Sequence, residues 1–384
     1  MIAYNHEWLD ALSTKEAAEQ WNKKGLLSDE KWKNVQEQYH TGFYSPNVFV
    51  RIGLAVFCLI LLLAMLGLMG WIVEPNTEAG FALFCIFWGM VWILALEFIL
   101  IRGYRHFGSG LDDMLLYAGA TAVVVGLGNL LLDTSEPLVW CCLALPFLVA
   151  GSIRYLDRLM AAAAFVCAVL IVLLIVKDIP NLAVYLLPFS GMLFSAAVYF
   201  FAQKGKQKDT WRHRHGVFAV FELLALLTFY ASGNYWFVQQ TGADWFSVER
   251  VPLGWFFWVF TFAVPCLFIW QGLRGKDRLA LDVGLGCAVA AVFTFRYYHH
   301  VLPLAWAAAV GGAVVFVVSY LSIQYLRKNA VAYTYEEDGK KSLLQKAQEQ
   351  IFEQTIASQS VAPSPKKDTL GGGQYGGGGA GSDF

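Results

Sequence analysis

The sequence predicts an all-α fold: a polytopic membrane helical bundle of about ten transmembrane helices, with both termini in the cytoplasm. Three observations carry this reading. Hydrophobic residues make up 57% of the 384 residues and charged residues only 15%, with a mean hydropathy of +0.50. A soluble protein holds about 25% charged residues and needs them to cover its surface. The apolar residues also gather into runs close to the roughly 20 residues that a membrane helix requires. Finally, Lys and Arg concentrate in alternate loops between those runs. The same charge count, 28 basic against 29 acidic residues, leaves no basic excess to neutralise phosphates, so nucleic-acid binding is excluded.

Residues 1–47 form the first segment, polar and expected to be a cytoplasmic helical hairpin. Ser13-x-x-Glu16 has the form of a capping box and predicts a helix start, with the helix running to about Lys24 and stopping at Gly25. Ser28, followed by Asp29 and Glu30, reads as the N-cap of a second helix reaching about Tyr39. Trp32, Val35 and Tyr39 share one face of that helix, and Trp21, Leu26 and Leu27 are expected to pack on it. The polar N-terminus lacks a signal-peptide pattern, so the first apolar run is expected to direct insertion.

The transmembrane bundle is assigned to 48–326, with spans near 52–73, 79–101, 114–132, 137–153, 159–176, 182–202, 217–238, 253–273, 279–295 and 304–326. The fourth and ninth are the shortest. Pro146, Pro188 and Pro265 fall inside runs, where neighbouring helices satisfy the freed carbonyls. Trp71, Trp140, Trp236, Trp255 and Trp306 lie near run ends, as an aromatic belt requires. Four alternate loops carry 12 Lys and Arg, among them Arg102, Arg154, Arg158, Lys206, Arg212 and Arg274; the other five carry only Lys177, Arg250 and Arg296. The positive-inside rule then places both termini in the cytoplasm, with Asn76 and His299 outside. Residues 327–384 are polar again: an amphipathic stretch from Lys341 to about Ala357, a Pro-containing linker, and a glycine-rich tail expected to be disordered.

Ionisable residues inside membrane spans cost free energy and are the first candidates for function. Glu97, Glu222 and Asp282 stand out, each within one or two turns of a cytoplasmic span end. Glu97 lies near Arg102 and Tyr104, Glu222 near His213 and His215, and Asp282 four residues after Arg278. They are read either as interfacial ion pairs, as a carboxylate-lined vestibule for cations or protons, or as hydrogen bonds between helices. Asp112 and Asp113 open a span, where the helix dipole favours them. Ser232-Gly-Asn234-Tyr reads as a helix terminus or a break near the outer surface.

Enzyme signatures are missing. The sequence holds no HExxH, no Walker A motif and no GxSG with a mid-span histidine. All seven cysteines lie in apolar runs without CxxC spacing, and His299–His300 alone is a weak ligand pair, so no catalytic residue, cofactor or metal is assigned. No histidine sits mid-span for a bis-His haem. Gly126-Leu-Gly128 and Gly284-Leu-Gly286 read as small-residue packing surfaces rather than nucleotide fingerprints.

Trp21-x-x-x-Gly25-Leu-Leu-Ser28-x-Glu30, a polar second helix, and Arg51-Ile-Gly-Leu opening the first span resemble a family of bacterial multi-pass membrane proteins catalogued as a domain of unknown function. In that family a cytoplasmic hairpin precedes a many-helix membrane region; the resemblance covers about 50 residues here and implies a bacterial inner-membrane location without supplying catalytic residues. The tail Gly376-Gly-Gly-Gly-Ala-Gly-Ser-Asp-Phe384 is similar to the glycine-rich tails of TPM-domain membrane proteins, although the chain has no TPM domain; it implies a shared partner or membrane-quality setting. Three functions follow. The first is a non-enzymatic scaffold or sensor in the bilayer that recruits a cytoplasmic or membrane protein through its tails, with Trp21, Trp32, Val35 and Tyr39 as the candidate contact residues. The second is a secondary transporter or channel using Glu97, Glu222 and Asp282. The third, a membrane enzyme acting on lipid or cell-wall precursors, has no motif in its favour.

Overall fold

The computed structural model describes residues 2–23, 26–132, 135–180, 182–275 and 277–299, with single helical positions at 316, 320 and 324. All of these fall in one compact unit, Met1–Asp338. A second unit, Gly339–Phe384, lies outside the described residues, as do Gly25, His300, most of the tenth expected span, the amphipathic stretch and the glycine-rich tail.

The described residues are helical. They comprise α1 (His6–Lys23), α2 (Asp29–Gln38), α3 (Val48–Val73), α4 (Glu78–Leu94), α5 (Leu111–Leu131) and α6 (Pro137–Tyr155). Then come α7 (Arg158–Lys177), α8 (Ala183–Lys206), α9 (His215–Gly233), α10 (Tyr235–Phe246), α11 (Gly254–Gly275) and α12 (Arg278–Tyr298). A π-helix, Ala95–Gly103, prolongs α4, and a 3₁₀ turn, Asp209–Arg214, leads into α9. Among the described residues nine helices are long and apolar enough to cross a membrane. They overlap the first nine expected spans; the two short ones extend to 19 and 21 residues, and the seventh, expected to reach 238, ends at Gly233 because Asn234 breaks the helix.

Side-chain caps set several of the starts. Asn47 accepts from Val50 N at 2.9 Å, Thr77 from Gly80 N at 3.0 Å, Asp157 from Met160 N at 2.6 Å and Asp277 from Leu279 N at 3.0 Å. Pro146, Pro188 and Pro265 lie inside α6, α8 and α11, which continue past them. The pairs α4–α5, α6–α7, α8–α9 and α11–α12 pack most extensively, α3 lies against α5, and α9 lies among α7, α8, α10, α11 and α12. Helices in lipid gain no hydrophobic drive from each other, so small residues let them approach. A Cβ on Gly126 would stand 2.6 Å from Ala82 O, and one on Gly284 2.8 Å from Ile269 N. Gly128 takes the Trp140 ring, whereas Gly286 faces open space; the two expected small-residue surfaces are each real at one glycine at least. The apolar belt facing outward includes Trp71, 74% exposed, and Trp255 near span ends.

The N-terminal segment departs from expectation. Helix α1 begins at His6, with Asn5 accepting from Glu7 N at 2.8 Å. Ser13 is a full two turns inside the helix, its hydroxyl donating to Asp10 O at 2.8 Å, so the capping box does not open the helix. Tertiary contact explains the earlier start: Tyr4 and Leu9 are buried with Leu96, Ile101, Leu116 and Met160 of the bundle. Ser28 stands at the N-cap of α2, but its side chain makes no cap bond. The turn is held instead by Asn22, which donates to Leu27 O at 3.1 Å and to Asp29 Oδ1 at 2.8 Å. The hairpin does not build a core of its own. Helix α2 has no buried residue, Trp21 is 55% exposed and Leu26 75% exposed.

Helix α1 reaches one end of the bundle. Ala3 N donates to Arg154 O at 2.9 Å, Tyr44 N donates to Arg105 O at 3.0 Å, and Arg212 pairs with Asp10. The loops after the π-helix, after α6 and after α8 therefore share a face with the N-terminal helix, the alternation that the loop charges anticipate. This is the basic face below.

Candidate functional site

Two of the three expected carboxylates are joined to cations on neighbouring helices. Glu97 sits in the π-helix, a winding found often at functional sites. Arg154 Nε donates to its Oε2 at 3.2 Å, Arg154 Nη2 to its Oε1, and Tyr155 OH to Oε2 at 3.1 Å. Arg102 stands 3.8 Å away, while Tyr104 is exposed. Glu222 is fully buried. Its partners are Lys206 and Gln203 of α8, the latter donating at 2.6 Å, with the Asp277 carboxylate also beside it, and not the neighbouring His213 and His215. Proximity along the chain misled here, because the 3₁₀ turn carries His213 toward Asp10 of α1 while α8 packs along α9. Asp282 behaves as an interfacial residue: exposed, 3.8 Å from Arg278 one turn away. The structure does not bring the three carboxylates into one cluster.

The acidic pair at the start of α5 divides its work. Asp112 is buried and accepts from the backbone N–H groups of Gly108, Ser109 and Gly110 at 2.7, 2.9 and 3.1 Å, which fixes the loop ahead of the helix. Gly110 has φ +89 and its absent Cβ would fall 2.3 Å from Arg51 O, so only glycine fits there. Asp113 receives Arg51 at 2.5 Å. Beside this loop, His106 Nδ1 meets Ser109 Oγ at 2.8 Å, and burial holds the His106 imidazole below its ordinary pKa, with Asp112 opposing. Burial, with Asp112 and Asp113 adding to it, raises the Tyr4 phenol well above its usual range.

Asn234 is both alternatives at once: α9 ends there and α10 begins. Its side chain accepts from Trp236 N at 3.0 Å and donates to Tyr230 OH at 2.8 Å and Thr294 Oγ1 at 3.1 Å. Thr261 Oγ1 accepts from Tyr235 N at 2.9 Å. These buried groups satisfy one another and hold the break. Next to it, an apolar cavity of about 200 Å³ lies between α8, α9 and α10, lined by Leu187, Thr228, Phe237 and Val251 among others.

On the basic face, α1 roofs a polar cleft of about 840 Å³. Its walls come from α1 (Asp10, Glu16), α3 (Arg51), α5 (Asp113, Tyr117), the start of α7 (Asp157, Arg158) and the approach to α9 (Arg212, His213, His215). Asp10 lies 3.5 Å from His213 Nε2 as well as pairing with Arg212. Tyr117 OH donates to Asp157 at 2.8 Å. Sequence reasoning missed Asp10, Arg158 and Lys206. Lys206 and Glu222 lie near the same end of two adjacent antiparallel spans, a signal that could have found them.

The hairpin residues Trp21, Trp32, Val35 and Tyr39 lie apart from this cleft. Trp32 and Val35 are half-buried, and Trp21 and Tyr39 exposed. Among the described residues no group of three or more His, Cys, Asp or Glu is placed to hold a metal ion. The fold defines a multi-pass membrane protein. No family model, curated protein or solved structure matches the chain.

Proposed function

We propose that this is a non-enzymatic scaffold or sensor of the bacterial inner membrane, N-in and C-in, which recruits a protein partner through its cytoplasmic hairpin. One observation carries the reading. Helix α1 is fastened to the bundle by Tyr4, Leu9 and Asp10, whereas α2 buries no residue and offers Trp32 and Val35 with Trp21 and Tyr39 beside them. An arm anchored at one helix and bare at the next suits capture of another protein, with aromatic residues as its anchors. The bacterial setting rests on the resemblance of the hairpin and first-span motif. The transporter alternative needs carboxylates open to a permeant ion, and Glu97 and Glu222 are both engaged by cations.

The test is a photo-crosslinking amino acid placed at Val35 or Tyr39 of the full-length protein in cells. A discrete crosslinked species that disappears with Trp32→Ala, at unchanged membrane levels, supports recruitment. No crosslink at either position, together with cation flux in proteoliposomes that Glu222→Gln abolishes, would favour the transporter.

A further inference from the structure

We propose that the cleft under α1 binds a phosphate group, carried by an anionic lipid headgroup at the bilayer edge or by a soluble phosphate compound, with Arg158 as its principal ligand. Among the arginines lining the cleft, Arg51 is paired with Asp113 and Arg212 with Asp10. Arg158 meets no carboxylate and no hydrogen-bond acceptor among the described residues. Nor is the adjacent Asp157 free to serve it, since that carboxylate caps α7 and accepts from Tyr117 OH at 2.8 Å. Arg158 therefore presents an unused planar fork to an 840 Å³ space, and such a fork matches phosphate oxygens.

Three further features agree. The guanidinium lies across Gly216, where a Cβ would stand 3.0 Å from Nε and 3.3 Å from Nη2, so the bare backbone seats it. His215, next in the chain, lines the same cleft and adds a second donor. Leu156 and Leu159 also line it, and Leu159 is 59% exposed at the point where α7 enters the apolar belt. A charged pocket with an apolar lip at the basic end of the spans is what a headgroup with its attached chains would occupy.

The experiment uses the full-length protein, purified and delipidated in detergent, with native mass spectrometry and thermal shift as readouts. The probes are dioctanoyl-phosphatidylglycerol, dioctanoylglycerol (the same chains without phosphate) and inorganic phosphate. We expect one saturable phosphatidylglycerol, weakened on the order of tenfold or more by Arg158→Gln, the scale of a lost charge-assisted contact. Arg158→Lys should bind at an intermediate level, and Arg274→Gln, on another basic loop, should bind as wild type. Gly216→Val leaves the arginine in place but displaces its fork, and should weaken binding as Arg158→Gln does; it also decides the matter should Arg158→Gln fail to fold. Competition by inorganic phosphate supports the site with a soluble source, and absence of competition supports it with a lipid source. Equal binding of dioctanoylglycerol, no saturation by any probe, or wild-type binding by both Arg158→Gln and Gly216→Val would overturn the proposal.

Discussion

Removing Lys206 should harm the protein far more than removing its partner Glu222. The Glu222 side chain is 0% exposed, whereas the Lys206 side chain is 25% exposed at the basic end of α8. Lys206→Met leaves the carboxylate enclosed between Gln203, 2.6 Å away, and the like-charged Asp277 carboxylate. Breaking a buried ion pair from one side costs about 3–5 kcal/mol, chiefly because the stranded charge has lost its solvent. Glu222→Gln keeps an acceptor for Gln203, and Lys206 is free to turn its ammonium toward water; the loss is then about 1 kcal/mol, one net hydrogen bond. Lys206→Met with Glu222→Leu removes both charges, and should lie within about 1–2 kcal/mol of wild type, since well-packed apolar replacements of such pairs are often neutral. Unfolding of the purified protein by SDS titration measures all three. Equal losses for Lys206→Met and Glu222→Gln, or a double variant no better than Lys206→Met, would refute the asymmetric burial on which the argument rests.

Orientation is checked by single cysteines in a Cys-less background: Asn76→Cys, Gln240→Cys and His299→Cys should react with an impermeant maleimide on spheroplasts, and Tyr104→Cys and Gln207→Cys should not. Labelling at 207 would reverse the topology. Acid should loosen the basic face through His106. Its folded pKa is depressed by burial, so the unfolded chain binds the proton first. The stabilisation is complete above the ordinary histidine value of about 6.5 and is lost as pH falls from there through the folded value. Proteolysis of the N-terminal segment should accelerate over that fall, and less steeply in His106→Gln.

What could be read from the sequence divides along a physical line. Membrane spans are legible because lipid imposes one rule on every residue of a run, and all nine described spans fall where that rule puts them. Asp282 is legible because its partner Arg278 lies one turn away on the same helix. Glu222 is not, because its partner sits on α8, and the register between α8 and α9 is a property of packing, not of either helix alone. Asn234 shows both sides of this limit: Ser232-Gly-Asn234-Tyr marks a terminus or break in the sequence, but not what holds it. The run stays apolar through Tyr230 and Trp236, but the break is fixed by Thr294 and Thr261, residues 60 and 26 positions away from their partners in the chain. The hairpin shows the opposite error. Ser13-x-x-Glu16 is a sound local signal, and it was overruled because Tyr4 and Leu9 gain more by entering the bundle; burying a side chain of that size is worth about 1.5–3 kcal/mol, against about 1 for a cap. The polar cleft follows from that overruling. Only once α1 is drawn onto the basic face does Asp10 meet Arg212, and no spacing in the sequence joins residues 10 and 212.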